Sequence, residues 1–190
     1  METKERILMA AREIFGQKGF YETKMDDIAK EAGIAKGTLY LYFKSKEELY
    51  ECLIKTGLDY IQEKVSEIVN SSKPFLDKLQ DLIFFIVDVL NENKEFILRI
   101  MYEMPLVRVW DGDFKQRFFV EGFKLSDSFK VFVVEGIEKG FLRDADPDLL
   151  AQVLIGAITR PIFVFFMEKR DMEKLKFELF NFIKAFFCKL

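Results

Sequence analysis

The sequence predicts an all-α protein, and three observations carry that expectation. Apolar side chains recur at intervals of three and four residues almost from end to end, the spacing of one helical face. Strand-like alternation and Asn-Gly hairpin signals are absent. Ser, Thr, Asp and Gly punctuate the periodic stretches where helices start and stop. Half of the 190 residues are hydrophobic and 32% are charged, the composition of a folded chain long enough for a sizeable core. The expected organisation is a three-helix N-terminal domain over residues 1–46 and a larger helical domain over 47–190.

The first helix is expected over 3–18, with Ile7, Ala10, Ala11, Ile14 and Phe15 on its inner face and Gly19 ending it. Thr23, followed three residues later by Asp26, has the form of a capping box opening a second helix. Ile28, Ala29 and Ala32 give that helix its apolar side, and Gly33 breaks it. A short third helix is expected over 36–43, and Ser45 with Glu48 makes another box, launching a long helix to about Asn70. The stretch 70–74 reads as a linker; its Asn-x-Ser triplet fits a glycosylation acceptor only formally, without a secretory context. Five further helices are expected over 75–91, 94–104, 114–139, 147–168 and 172–188. Pro105 stops the second of these, and Asp146-Pro147 opens the fourth with proline at the first helical position.

The net charge is -3, yet residues 1–50 carry nine basic and nine acidic side chains, so the acidic excess lies in the later part. Lys36, Lys44 and Lys46 cluster around the third helix, with no acid between Glu31 and Glu47. A local basic patch steers a protein onto phosphates whatever the whole-chain charge; Lys44 reads equally well as an ordinary solvated charge. Histidine is absent, which removes the usual near-neutral acid–base group and the commonest transition-metal ligand. Cys52 and Cys188 lie far apart, and with no signal-like N-terminus they read as reduced thiols in a cytoplasm. No contiguous apolar run approaches the roughly 18 residues of a membrane span. The run 82–90 contains Asp88, and 155–167 is interrupted by Arg160 and Pro161.

Enzymatic chemistry finds no constellation to work with. There is no Gly-rich phosphate loop and no nucleophile with an evident base. Asp144, Asp146 and Asp148 imitate a calcium loop, but Leu149 stands at its glycine position and Ile155 at its bidentate glutamate. The chain is therefore expected to be no enzyme and to need no cofactor or metal.

The most informative stretch is 19–49, GFYETKMDDIAKEAGIAKGTLYLYFKSKEEL. A helix, a glycine turn and a second helix make a helix-turn-helix, whose second helix reads a major groove and whose N-terminal amides favour phosphate. Leu39 and Phe43 are expected to pack inward, while Tyr40 and Tyr42 either touch DNA or wedge the helix against its neighbours.

This stretch resembles the DNA-binding domain of the TetR family of bacterial transcriptional regulators. The likeness is carried by Phe15 through Gly19-Phe20, Met25-Asp26-Asp27-Ile28-Ala29, Ala32-Gly33-Ile34, Lys36-Gly37-Thr38-Leu39-Tyr40, Tyr42-Phe43 and Ser45-Lys46-Glu47-Glu48-Leu49. It covers roughly the first 55 residues. The resemblance implies a homodimer that binds double-stranded, palindromic operator DNA and releases it when a small molecule enters the C-terminal domain. It implies Lys36, Gly37 and Thr38 at the start of the recognition helix against bases and phosphates. Tyr40, Leu41 and Tyr42 would face the groove and the sugar–phosphate rim, and Lys46 a phosphate. Three positions depart from the family pattern. Ala35 stands where Ser or Thr often caps the recognition helix, a loss of about 1 kcal/mol. Lys24 replaces a phosphate-binding Ser or Thr with a less directional charge. Leu41 occupies a position often held by histidine or another polar residue, which implies a different base contact.

Of the 22 phenylalanines, only Phe15, Phe20 and Phe43 precede Pro74. Aromatics at this density mostly fill core; a ligand cavity needs the same lining plus a few converging polar groups. Arg99, Tyr102, Glu103, Trp110, Glu121 and Arg160 are the polar or mixed residues embedded in the apolar helices. The candidate effector pocket comprises Phe85, Met101, Tyr102, Trp110, Phe118, Phe123 and Phe163, with Arg160 as its polar anchor. Arg160 adjoins Pro161, which opens the backbone ladder; it reads either as a ligand-orienting cation or as half of a buried ion pair. The effector is expected to be hydrophobic, aromatic or acyl.

The last helix carries Leu175, Leu179, Phe182, Ile183, Phe186 and Leu190 on one face and Phe177, Phe180 and Phe187 on another. Apolar on more than one face, and preceded by the small pair Gly156-Ala157, it suggests a four-helix interface between two copies, two helices from each. Two rival readings are a regulator triggered by a protein partner and a hydrophobic-ligand carrier with a vestigial helix-turn-helix. Salt-dependent operator binding separates the carrier from the regulators.

Overall fold

The computed structural model describes residues 2–103 and 126–189, and within them the protein is helical, with one isolated antiparallel bridge. The helices are α1 (Thr3–Glu22), α2 (Met25–Glu31), α3 (Lys36–Tyr42), α4 (Lys46–Val69), α5 (Phe75–Glu92), α6 (Lys94–Glu103), α7 (126–138), α8 (Pro147–Glu168) and α9 (Met172–Phe187). Two compact units result. The first comprises the chain up to Leu58 together with α6; the second comprises Asp59–Glu92 and the helices from α7 onward. The boundary differs from the one expected at 46/47. Apolar Leu49, Tyr50, Leu53 and Ile54 on the first half of α4 belong to the core of the N-terminal helices, and α6 adds Phe96 to the same core.

In the first unit, Ile7, Ala11, Phe15, Ile28, Leu39 and Leu49 are fully buried, each at helical spacing from its neighbours on its own element. Tyr50 is the hub: its ring meets Phe15 edge-on at 4.8 Å, Phe20 at 5.0 Å and Phe96 at 5.8 Å. Edge-to-face pairs of this kind add about 0.5–1.5 kcal/mol each beyond the area they bury. Burial holds the Tyr50 phenol well above its ordinary range, with the nearby Glu103 carboxylate acting in the same direction.

Helix α1 does break at Gly19, where φ is +78° and ψ 173°, and a last turn carries the chain on to Glu22. Only glycine fits there, because a Cβ would lie 2.0 Å from Glu103 Oε1 in addition to the left-handed backbone. Thr23 does not cap α2. Its hydroxyl is buried and donates to the Gly19 carbonyl at 2.6 Å, finishing α1, while the exposed Lys24 stands at the N-cap of α2. The second box is real: Glu48 N–H donates to Ser45 Oγ at 3.1 Å, and the Glu48 carboxylate accepts from Lys44 N–H at 2.7 Å.

In the second unit, α5 packs against α8 and α9, and α8 packs against α9. Leu82, Ile83, Val87, Leu154, Ile158 and Ile183 form the buried seam. Phe75 is sandwiched between Phe132 at 4.5 Å and Phe141 at 5.0 Å, all three rings nearly parallel. Two lysines are buried, each with its charge answered. Lys78 Nζ donates to the Val69 carbonyl at 2.8 Å and to Glu135 at 3.0 Å; Lys176 meets Asp88 at 2.6 Å and Glu173 at 2.8 Å. The end of α9 is tied to the turn after α7. Arg143 N–H donates to the Phe187 carbonyl at 3.1 Å and Lys189 N–H to the Phe141 carbonyl at 2.8 Å, which aligns Leu142 with Cys188.

Helix α8 starts as expected, with Asp146 Oδ1 accepting from Leu149 N–H at 2.8 Å and Pro147 in the first turn. By length and composition alone it could cross a membrane, contrary to the expectation from contiguous apolar runs. One arginine and one proline break a contiguous run, but spread over 22 helical residues they hardly change the average. Its inner side, Leu150, Leu154, Ile158, Ile162 and Phe166, is buried in the second unit.

Candidate nucleic-acid interface

Helices α2 and α3 with their turn are held onto α1 by charged groups. The Arg6 guanidinium on α1 donates to the Ala32 carbonyl at 2.5 Å and the Gly33 carbonyl at 3.1 Å, closing the C-terminal end of α2. Lys18 pairs with Asp27 at 2.8 Å, and its hydrogen bond keeps that carboxyl below the usual range. Gly33, at φ +64°, makes the turn itself.

This frame buries Leu39 and Phe43 and leaves the rest of α3 outward. Lys24, Lys36, Gly37, Tyr40, Leu41, Tyr42 and Lys44 are exposed, and Thr38 is half-buried. Leu41 is 85% exposed, a bare apolar side chain between two tyrosines that are each rather less than half exposed. Nothing within 4 Å would meet a Cβ at Gly37, so its backbone is open to close approach. Ala35, as its side chain dictates, gives α3 no side-chain cap. Lys36 Nζ pairs with Asp26 at 2.7 Å, and that hydrogen bond raises its pKa. Both partners are well exposed, a setting in which an ion pair contributes little and exchanges readily for another anion.

Lys46 departs from its expected place. Its ammonium donates to the carbonyls of Phe20 at 2.7 Å, Thr23 at 3.0 Å and Tyr21 at 3.3 Å, and lies 4.4 Å from the centroid of the Phe20 ring. Burial lowers its pKa. It closes the last turn of α1, where a cation meets the negative end of the helix, and all three of its N–H donors are engaged inside the protein. Two residues of α6 do related work: Arg99 donates to the Gly16 and Gln17 carbonyls, and the Glu103 carboxylate accepts from Phe20 N–H at 2.9 Å. The sequence reading placed Arg99 and Glu103 among polar residues of apolar helices without finding this task. The signal available was their spacing of four, which aligns both on one face of α6.

The candidate effector residues are dispersed. Phe85 and Phe163 are half-buried in the second unit, with Phe85 6.0 Å from the ring of Tyr60 and Phe163 6.2 Å from that of Phe166. Met101 and Tyr102 are exposed on α6, in the first unit. Trp110, Phe118, Phe123 and Glu121 lie outside the described residues, as does the first part, 114–125, of the helix expected over 114–139. Arg160 is exposed on α8, so it is no half of an ion pair buried within this chain.

Fold and site together define a helix-turn-helix protein with a helical C-terminal domain. Residues 7–53 match the family described as bacterial regulatory proteins, tetR family. Along most of its length the chain is similar to the uncharacterized HTH-type transcriptional regulator YhgD of Bacillus subtilis (strain 168), 29% identical over 165 residues, 86% of this chain and 84% of that protein. It is 37% identical over 87 residues to the biofilm operon icaADBC HTH-type negative transcriptional regulator IcaR of Staphylococcus aureus (strain Newman), 45% of this chain and 47% of IcaR. Among solved structures, the transcriptional regulator FadR from Bacillus subtilis in complex with stearoyl-CoA superposes with a TM-score of 0.77 at 25% identity, covering 95% of this chain and 96% of that one. The DNA-binding domain at residues 7–53 is thus that of the tetR family of bacterial regulatory proteins, and along most of its length the chain is similar to proteins named as transcriptional regulators.

Proposed function

We propose that this chain is a repressor that binds a palindromic operator as a homodimer and leaves the DNA when a hydrophobic small molecule occupies its C-terminal domain. The observation that carries the DNA-binding part is the outer face of α3, where Tyr40, Leu41 and Tyr42 stand exposed beside Gly37 and the amines of Lys24, Lys36 and Lys44. Aromatic and apolar side chains suit base edges and sugars, and the surrounding lysines suit phosphates. Lys36 exchanges Asp26 for a phosphate on binding. Lys46 acts one step back, holding the end of α1 rather than the DNA.

Homodimerisation is supported by α8 and α9, which leave Leu149, Val153, Val164, Met167, Phe182 and Phe186 exposed in the single chain. Contiguous apolar surface of this kind marks an association site, and two reading helices then reach successive major grooves about 34–36 Å apart. The repressor reading draws on IcaR, named a negative regulator. The hydrophobic effector draws on FadR, solved with stearoyl-CoA, and on the phenylalanines of the second unit. Phe85 and Phe163 remain the described candidates for its lining. Such a protein works in the cytoplasm, where its DNA is.

The test uses duplex DNA from the region upstream of the protein's own gene. Binding is measured across salt concentrations and with stearoyl-CoA as probe. Specific binding with a steep negative salt slope is expected. The acyl-CoA should weaken it, and by linkage operator DNA should weaken acyl-CoA binding by the same factor, about 5- to 150-fold for a typical coupling. DNA binding that is weak and indifferent to sequence would refute the operator reading; acyl-CoA affinity unchanged by operator would refute induction by that ligand class.

A further inference from the structure

The outward side of α8 is one apolar stripe with a single charge in its middle. Leu149, Val153, Gly156, Val164 and Met167 are exposed at spacings of three, four and eight residues, which one helical face brings into line, and Arg160 lies among them. The stripe lies opposite the buried residues Leu154, Ile158 and Ile162. No acid of its own chain answers Arg160 among the described residues, whereas Lys174 and Lys176 on α9 and Arg170 in the turn before it each stand against an acid. A second copy covering the apolar stripe would take the guanidinium out of water, and an unanswered buried charge is not tolerated.

We propose that Arg160 pairs with Glu178 of a second copy, so that one symmetric pair of salt bridges sets the register of the dimer; this rests on the homodimer reading above. The remaining acids of α8 and α9 are already placed. Asp148 pairs with Lys130 at 2.7 Å and Glu173 with buried Lys176 at 2.8 Å, while Glu168, itself 3.5 Å from Arg170, lies at the end of α8, eight residues away from the level of Arg160. Glu178 is exposed on α9, one turn from exposed Phe182, and its own contact with Lys174 is a loose 3.5 Å. It is also at the right height. Helices α8 and α9 are joined by a three-residue turn and run back along each other. Arg160 lies eight residues before the end of α8 and Glu178 six residues after the start of α9, about 12 and 9 Å from the turn. A two-fold axis along the helices preserves that common level, and so does an axis crossing them at it. The pairing is isologous: Arg160 of each copy reaches Glu178 of the other. Gly156 lies one turn from Arg160, and nothing within 4 Å would meet a Cβ there, leaving room for the second copy's backbone.

The test is a charge swap read by sedimentation across concentrations, with helical content checked by circular dichroism. Arg160→Glu alone and Glu178→Arg alone each place two like-charge contacts in their homodimers, and each should weaken self-association roughly tenfold or more. An equimolar mixture of the two variants restores both opposite-charge contacts and should form heterodimers at near-parental affinity, as should the double variant with itself. Rescue in the mixture excludes misfolding as the cause of the single defects. Single variants that associate as tightly as the parent, or a mixture that fails to rescue, would overturn the pairing while leaving the dimer intact. A parent chain that sediments as a monomer at micromolar concentration would overturn the dimer reading and the pairing with it.

Discussion

The ammonium of Lys46 rests on the ring of Phe20 and donates to that residue's own carbonyl at 2.7 Å. The first residue of α4 thereby closes the last turn of α1, with the Tyr21 and Thr23 carbonyls as further acceptors. Lys46→Ala removes the charge and leaves partly buried carbonyls without it. It should destabilise the free protein by about 2 kcal/mol, read from a denaturant midpoint, since hydrogen bonds to charged groups are worth about 1.5–3 kcal/mol. The salt slope of DNA binding should hardly change, because no phosphate contact is lost. A variant with parental stability and a slope shallower by one unit per subunit would return Lys46 to the DNA.

Gly37 separates stability from binding. It is helical, and nothing would meet its Cβ within 4 Å. Gly37→Ala should therefore stabilise the free protein by about 0.5–1 kcal/mol, the usual gain of alanine over glycine in a helix. The same methyl should weaken operator binding if the backbone of α3 comes close to DNA. Paired melting and binding measurements check both signs; unchanged affinity would remove Gly37 from the contact surface.

Leu41 offers a methyl-sized readout. At 85% exposure it has no packing duty in the free chain, and an apolar side chain in a major groove favours the thymine methyl. Replacing thymine by uracil one position at a time across the operator should lower parental affinity at one base of each half-site. Leu41→Ala should abolish that difference. A uracil scan that is flat for the parent would exclude a methyl contact without touching the case for DNA binding.

Glu135 gives the pH dependence. Its hydrogen bond to Lys139, then that to buried Lys78, hold its carboxyl below the ordinary 4.5 against the opposing effect of burial. With the folded value depressed, the folded chain binds fewer protons than the unfolded one. The stabilisation is complete above 4.5 and is lost as pH falls through the folded value. Glu135→Gln should cost about 3 kcal/mol at pH 7, because Lys78 is left buried without its counter-charge. The cost should shrink in acid. An equal cost at pH 7 and pH 3, by denaturant titration, would contradict the pairing.

The helical elements and their order were legible because their causes are local: apolar spacing, Gly19 and Gly33 at breaks, Ser45 and Asp146 at starts. Thr23 misled because its hydroxyl had two helices within reach, and the Gly19 carbonyl at the open end of α1 was the nearer acceptor. Lys46 misled for a related reason. A lysine stem spans far enough that its charge is placed by tertiary neighbours, here Phe20 and the end of α1, rather than by its position in a motif. The place of α6 in the first unit was equally hidden, since Arg99 and Glu103 fit partners about 83 residues earlier in the chain and Phe96 meets the ring of Tyr50. Arg160 read as a ligand-orienting cation or half of a buried ion pair because its own helix is apolar; which side of a uniformly apolar helix faces inward is decided by its neighbours.

The short bridge between Leu142 and Cys188 has a bearing on how the molecule opens. Helix ends ordinarily fray first, because their last carbonyls have no partner on the next turn. Here the Phe187 carbonyl is held by Arg143, and Lys189 N–H is held by the Phe141 carbonyl. The last turn of α9 cannot loosen without releasing the turn that follows α7, and that turn carries Phe141 on the stack with Phe75. Amide exchange at Arg143 and Lys189 should therefore occur in one shared event, at a rate set by the interior of the second unit rather than by the end of a helix.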